Sequence, residues 1–170
     1  MKASNKIMKF IAVVMIVAIA AGICGCSGKL PFMKKDDRTI EDYQAEAKEL
    51  GYYLIRRMFI ADYESVKDYV KKDERDQVEE IITSLDSNLY NDAQIDIVSV
   101  YTDEKTHETS VSFRITLSFI TSTTSSVCQL SMSPSGSSWK INNAIPFCMD
   151  IQNLNETYLE GKKQDDEFTK

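Results

Sequence analysis

The chain has one histidine, one tryptophan, three prolines and no long run of positive charge, and each scarcity excludes something. A lone His107 between Glu104 and Glu108 gives a serine or cysteine nucleophile no partner in the sequence pattern. It is expected to be a solvated loop residue, a single-histidine metal site being the alternative, and no metal or other cofactor is expected. GxSxG, Walker, CxxC and HExxH patterns are absent, so no catalytic residue is assigned and the chain is not expected to be an enzyme. With 20 Lys and Arg against 26 Asp and Glu, the net charge is −6 and no basic stripe is present, which argues against nucleic acid as a partner.

What the sequence does have is a strong beginning. Lys2, Lys6 and Lys9 form a positive region without acids, and Phe10 to Ile23 is an apolar and small-residue run of roughly 14 residues, the size of a signal h-region. That is short of the ~20 needed to span a bilayer, so cleavage is expected, an uncleaved transmembrane anchor being the alternative. Ile23-Cys24-Gly25-Cys26 resembles the lipobox of bacterial lipoproteins. In that resemblance Cys26 becomes the lipidated first residue, whereas cleavage before Cys24 would put bulky Ile23 where a small side chain is needed. A thiolate takes up the diacylglyceryl group, and two acyl chains anchor stably where one would be marginal. The expected location is the extracytoplasmic face of the cell membrane.

Cleavage would remove residues 1–25, leaving 145 residues (170 − 25) with 17 basic and 26 acidic groups, a net charge of −9. That length suits a single domain with a real core. Ser27 to Asp37 mixes Gly, Pro and charge without periodicity, so residues 26–38 read as a lipidated tether.

A helix opens at Thr39, with Asp42 completing a capping-box pattern. Ile40, Tyr43, Ala47, Leu50, Leu54 and Met58 form its apolar stripe, widened by Ile55 and Phe59. Asp62 is placed as N-cap of a short second helix, Tyr63 to Val70, and a third is expected from Glu74 to Leu89, ended by Asn91-Asp92. For Tyr52, Tyr53, Tyr63 and Tyr69 on the first two helices, core packing is weighed against a tyrosine-lined ligand mouth.

From Gln94 the period becomes 2. Ile95, Ile97, Ser99 and Tyr101 are expected on one face of a first strand, and Val111, Phe113, Ile115, Leu117 and Phe119 on the same face of a second. A third strand, Ser125 to Ser133, shows Cys128, Leu130 and Met132, and a turn at Ser133-Pro134-Ser135-Gly136 leads to a fourth, Ser137 to Ile145. Pairing Ser133 with Ser138 puts Met132 opposite Trp139, Leu130 opposite Ile141 and Cys128 opposite Asn143, with every apolar residue on one face. In that register Cys148 lies about 17 Å along the strand from the partner of Cys128. Cys128 is therefore expected as a core thiol, unless the chain folds back after Pro146. Ile151, Leu154, Tyr158 and Leu159 recur at helical spacing, and the last ten residues are expected to be disordered.

Helices followed by a four-stranded meander, with Phe59-Ile60-Ala61-Asp62-Tyr63-Glu64-Ser65-Val66 at a helix junction and Ser138-Trp139-Lys140-Ile141 as closing strand, resemble the NTF2-like (cystatin-like) superfamily. The combination is similar to small lipoproteins of Gram-positive bacteria. The resemblance implies an α+β domain over 39–148, about three N-terminal helices packed on a curved four-stranded antiparallel meander in an NTF2-like cone, with 149–170 as a C-terminal extension. It also implies a mouth for a small apolar ligand, and Tyr52, Tyr53, Ser99, Tyr101 and Asn143 are the candidate lining residues. The expected function is a membrane-anchored, non-enzymatic binding or protein-interaction module. The alternatives are an NTF2-like enzyme acting on a small apolar molecule, and an accessory or immunity-type lipoprotein docking a partner protein through the sheet.

Overall fold

The computed structural model describes residues 38–170, so the signal, Cys26 and nearly all of the expected tether lie outside the described residues. Helix α1, Ile40–Phe59, starts as the sequence dictates: Thr39 Oγ1 accepts the Asp42 N–H at 3.2 Å and Asp42 Oδ2 accepts the Thr39 N–H at 2.8 Å. Hydrogen bonds from the Thr39 N–H and hydroxyl hold the Asp42 carboxyl below its ordinary range. Tyr43, Ala47, Leu50, Leu54, Ile55, Met58 and Phe59 are all buried along one side. Gly51 interrupts that side for a reason of distance, since a Cβ there would stand 3.1 Å from the Phe113 ring. The missing side chain lets α1 lie close against the sheet.

The next segment is less helical than its periodicity suggests. Tyr63–Ser65 is a single 3₁₀ turn capped by Asp62, whose Oδ1 accepts the Ser65 N–H and whose Oδ2 accepts the Ser65 hydroxyl at 2.6 Å. The expected helix to Val70 does not form, although Val66 and Val70 are buried all the same. The single helix expected over Glu74 to Leu89 is two: α2, Arg75–Thr83, and α3, Leu89–Asp92. Polar side chains compete for the backbone at the break. The Thr83 and Ser84 hydroxyls donate back to the Glu79 and Ile81 carbonyls, and Asp86 Oδ1 accepts the Asn88 N–H.

Four strands follow in one antiparallel sheet of order β1-β2-β3-β4: Ala93–Thr102, Thr109–Ser118, Thr123–Ser135 and Ser138–Ile141. Val111, Phe113, Ile115 and Leu117 are fully buried, as are Trp139 and Ile141, so one face is dry across β2, β3 and β4. Each such side chain contributes about 1.5–3 kcal/mol. The β3–β4 register differs from the expected one by two residues, with Met132 opposite Ile141 and Pro134 opposite Trp139. A two-residue turn at Gly136-Ser137, with Gly136 at φ +62°, lets pairing continue to Ser135–Ser138. A shift of two preserves the faces. Pro134 is tolerated because β3 has passed the end of β2 there and is paired on one side only.

The last element departs furthest from expectation. The chain turns back at Asn142-Asn143 into α4, Ala144–Phe168, which crosses the expected boundary at 148/149 and occupies most of the ten residues expected to be disordered. Phe147, Cys148, Ile151, Leu154 and Tyr158 are buried, and α4 packs on β3 and α2 while α1 packs on β1 and β2. Its distal half is held by contacts remote in sequence. Tyr158 Oη donates to Asp92 at 2.9 Å, Lys162 pairs with Asp92 at 2.8 Å, the Ile120 N–H donates to Asp165 at 2.9 Å, and the Phe119 ring lies on Gly161. Cys128 and Cys148 are both buried free thiols. The result is an α+β domain with one sheet face covered by helices.

Candidate functional site

The five residues expected to line a mouth do not converge. Tyr52 is 38 % exposed on α1, and Tyr53 is half-buried with the Arg57 guanidinium 5.1 Å from its ring centre. Ser99 and Tyr101 point away from the helices, which corrects the expected parity. The pairing of β1 with β2 shifts between Ile97, opposite Phe113, and Ser99, opposite Ser112, so Val98 is an extra residue. Beyond this bulge the alternation reverses, turning Val100 and Thr102 inward and leaving Tyr101 67 % exposed. Asn143 supports the sheet instead of a pocket. Its Oδ1 accepts the Ser131 N–H at 2.9 Å and its Nδ2 donates to the Gln129 carbonyl at 2.8 Å, so its carboxamide extends the ladder where β4 has ended.

The inward side chains of β2, β3 and β4 are consumed by the core, so the broad sheet surface available to a partner is the outer face. Across β1, β2 and β3 it runs in rows set by the register: Tyr101–Ser110–Ser131, Ser99–Ser112–Gln129, Asp96–Arg114–Val127 and Gln94–Thr116–Ser125. Hydroxyls bond across strands, Ser110 to Ser131 and Thr116 to Ser125, each at 2.9 Å, and the Ser131 hydroxyl also donates to Glu108 at 2.8 Å. Such pairs keep the surface hydrogen-bonded while leaving lone pairs and short side chains for a partner. Tyr101 and Val127, 67 % and 62 % exposed, are apolar projections on this polar ground.

Sequence reasoning missed a second cluster, at the start of α1. Arg38 Nη1 and Trp139 Nε1 both donate to Glu46 Oε2, at 2.9 and 3.2 Å. His107 stacks on Tyr43 with ring centres 4.5 Å apart, while the Arg38 guanidinium lies 4.4 Å from the same ring centre and Trp139 meets it edge-on. The expectation of a solvated His107 is therefore corrected: the imidazole is half-buried and packed, at φ +57°. Asp103, whose Oδ1 accepts from the Lys105 and Thr106 N–H groups, shapes the loop that delivers it. Nothing in the spacing of Arg38, Glu46, His107 and Trp139 signals the meeting, because three separate segments, the start of α1, the β1–β2 loop and β4, bring them together.

Open depressions lie on two sides of the sheet among the described residues. One, about 590 Å³, lies between α1 and β1 and is lined by Ala45, Lys48, Glu49, Tyr52 and Ile97. The other, about 310 Å³, lies between β3 and α4 beside Cys128, Asp150 and Asn153. Burial pushes the Cys128 thiol up to about 11 and the Cys148 thiol up to about 12, so both stay protonated and unreactive at neutral pH. Among the described residues no group of three or more His, Cys, Asp or Glu side chains is placed to hold a metal ion, and no helix is long and apolar enough to cross a membrane. In comparisons with known proteins, the chain matches no family model, no curated protein and no solved structure.

Proposed function

We propose that the chain is a lipid-anchored protein of the extracytoplasmic membrane face whose domain is a non-enzymatic interaction module, docking a partner protein through the outer face of its sheet. The observation that carries this reading is the two-sidedness of the sheet. Phe113, Ile115 and Leu117 are fully buried beneath the helices, whereas Tyr101 and Val127 stand exposed among hydroxyl rows on the other side. Such a surface offers hydrogen bonding and apolar contact to a partner. The order of helices followed by a four-stranded meander supports an NTF2-like cone, but its inner face is filled by α1 and α4 side chains, which favours the outer face over a ligand mouth. The anchor rests on Ile23-Cys24-Gly25-Cys26.

Both halves are testable in intact cells. A photo-crosslinking residue in place of Tyr101 or Val127 is expected to give an adduct of discrete mass, and the same residue at Glu80, on exposed helix surface, is expected to give none. Equal yields from all three positions would sink the docking face. Labelled palmitate is expected on the parent chain and not on Cys26→Ala, and label persisting on that variant would overturn the anchor.

A further inference from the structure

Strand β1 is the open edge of the sheet, and the covered side is unfinished beneath it. Its inward residues Ile95 and Ile97 remain partly exposed, although their partners on β2, Ile115 and Phe113, are completely buried. Ala45, Lys48, Glu49 and Tyr52 recur along one side of α1 at i, i+3, i+4 and i+7, and overhang the edge to form the 590 Å³ depression floored by Ile97. Ten residues of β1 carry neither lysine nor proline, two of the usual protections of an exposed edge, and before the bulge at Val98 the outer N–H and C=O groups of Ala93–Ile97 face no strand among the described residues.

We infer that β1 pairs antiparallel with β1 of a second copy of this chain, joining two four-stranded sheets into one across a two-fold axis at Ile95. The strand's own chemistry selects this occupant. In the pairing centred on Ile95, Gln94 faces Asp96 of the second copy, Ile97 faces Ala93, and Ile95 faces itself. Asp96, the only charge in β1, never meets its own copy, and Gln94 Nε2 already donates to Asp96 Oδ2 at 3.0 Å within one strand. The bulge at Val98 ends the regular segment, confining the pairing to Ala93–Ile97. Opposed residues share a face, so the Ile95 and Ile97 side chains of both copies lie on the helix-covered side, where Ile97 floors each depression beside one Lys48 and one Glu49. One Lys48 and one Glu49 on each copy give the two depressions matching sets of opposite charges, which an isologous interface can pair.

The test uses the full chain in detergent micelles at micromolar concentration, with mass read by light scattering. Two copies per particle are expected. Gln94→Asp creates two like-charge pairs per dimer and is expected to raise the dissociation constant roughly tenfold. Adding Asp96→Gln to that variant restores an acid opposite an amide, and with it the dimer. Ile95→Cys is expected to cross-link to itself under mild oxidation, because directly opposed strand residues lie within disulfide reach, while Val127→Cys is not. One copy per particle, a dimer indifferent to Gln94→Asp, or an Ile95→Cys cross-link to a different protein would each overturn the inference. A dimer formed while photo-crosslinkers at Val127 capture nothing supports the edge pairing and overturns the docking face instead.

Discussion

Replacing Asn143 with alanine separates a sheet support from a ligand-lining residue. The carboxamide makes two hydrogen bonds to the β3 backbone, to the Ser131 N–H and the Gln129 carbonyl, and it accepts none from the first turn of the helix it precedes. Each is worth about 1 kcal/mol net, and partial exposure of the site brings the pair to roughly 1–2 kcal/mol. For a domain of this size that lowers Tm by roughly 3–7 °C. The Asn142 N–H still donates to the Ser131 carbonyl in the variant, so the loss stays local. Asn143→Asp sharpens the test. One oxygen keeps the Ser131 N–H, while the other meets the Gln129 carbonyl without a proton between them, so the cost at neutral pH matches that of alanine. Below about pH 4 the protonated carboxyl donates to that carbonyl and the cost shrinks. Urea titration measures the stability and hydrogen exchange reads the Ser131 amide. An alanine variant within about 0.5 kcal/mol of the parent, with Ser131 protection unchanged, would refute the ladder role.

Two further outcomes follow from the same geometry. Hydrogen bonds from Lys162 and then Tyr158 hold the Asp92 carboxyl below its ordinary range, so their stabilisation is complete above about pH 4, where the unfolded carboxyl is ionised, and is lost as pH falls through the folded value. Lys162→Met should therefore flatten the acid limb of a stability-against-pH curve, and an unchanged limb would show that the pair does not hold the end of α4. The bulge in β1 predicts that Tyr101→Ser changes stability by less than about 0.5 kcal/mol while Val100→Asp costs more than about 2 kcal/mol. Chemical denaturation of both variants checks this, and the reverse order would restore the uninterrupted alternation.

Local chemistry made much of the fold legible. The Thr39–Asp42 cap, the stripe of α1 and the alternation of β2 are set by neighbours within a few residues, and each stands where the sequence put it. Features decided by distant partners were not legible. The bulge at Val98 has no glycine to announce it, only the polar Ser99 between Val98 and Val100, and it moved Ser99 and Tyr101 to the outer face. The distal half of α4 reads as a charged tail until Asp92, Phe119 and Ile120 supply its contacts. Hydroxyls at alternating positions did indicate the outer face, whereas the Arg38–Glu46–Trp139 cluster depends on the Trp139 to Glu46 hydrogen bond, between residues 93 apart in sequence.

The position of α4 also bears on how the domain is made. Its first turn follows the Asn143 support at β3, its middle fills the space beside α2, and its far end ties down Asp92, just before β1, and the loop after β2. A chain emerging from its N-terminus can form α1 and the hairpins early, but those pieces stay uncovered until about residue 165 is free to pack. The core therefore closes only when this helix docks, after the sheet it covers has been made.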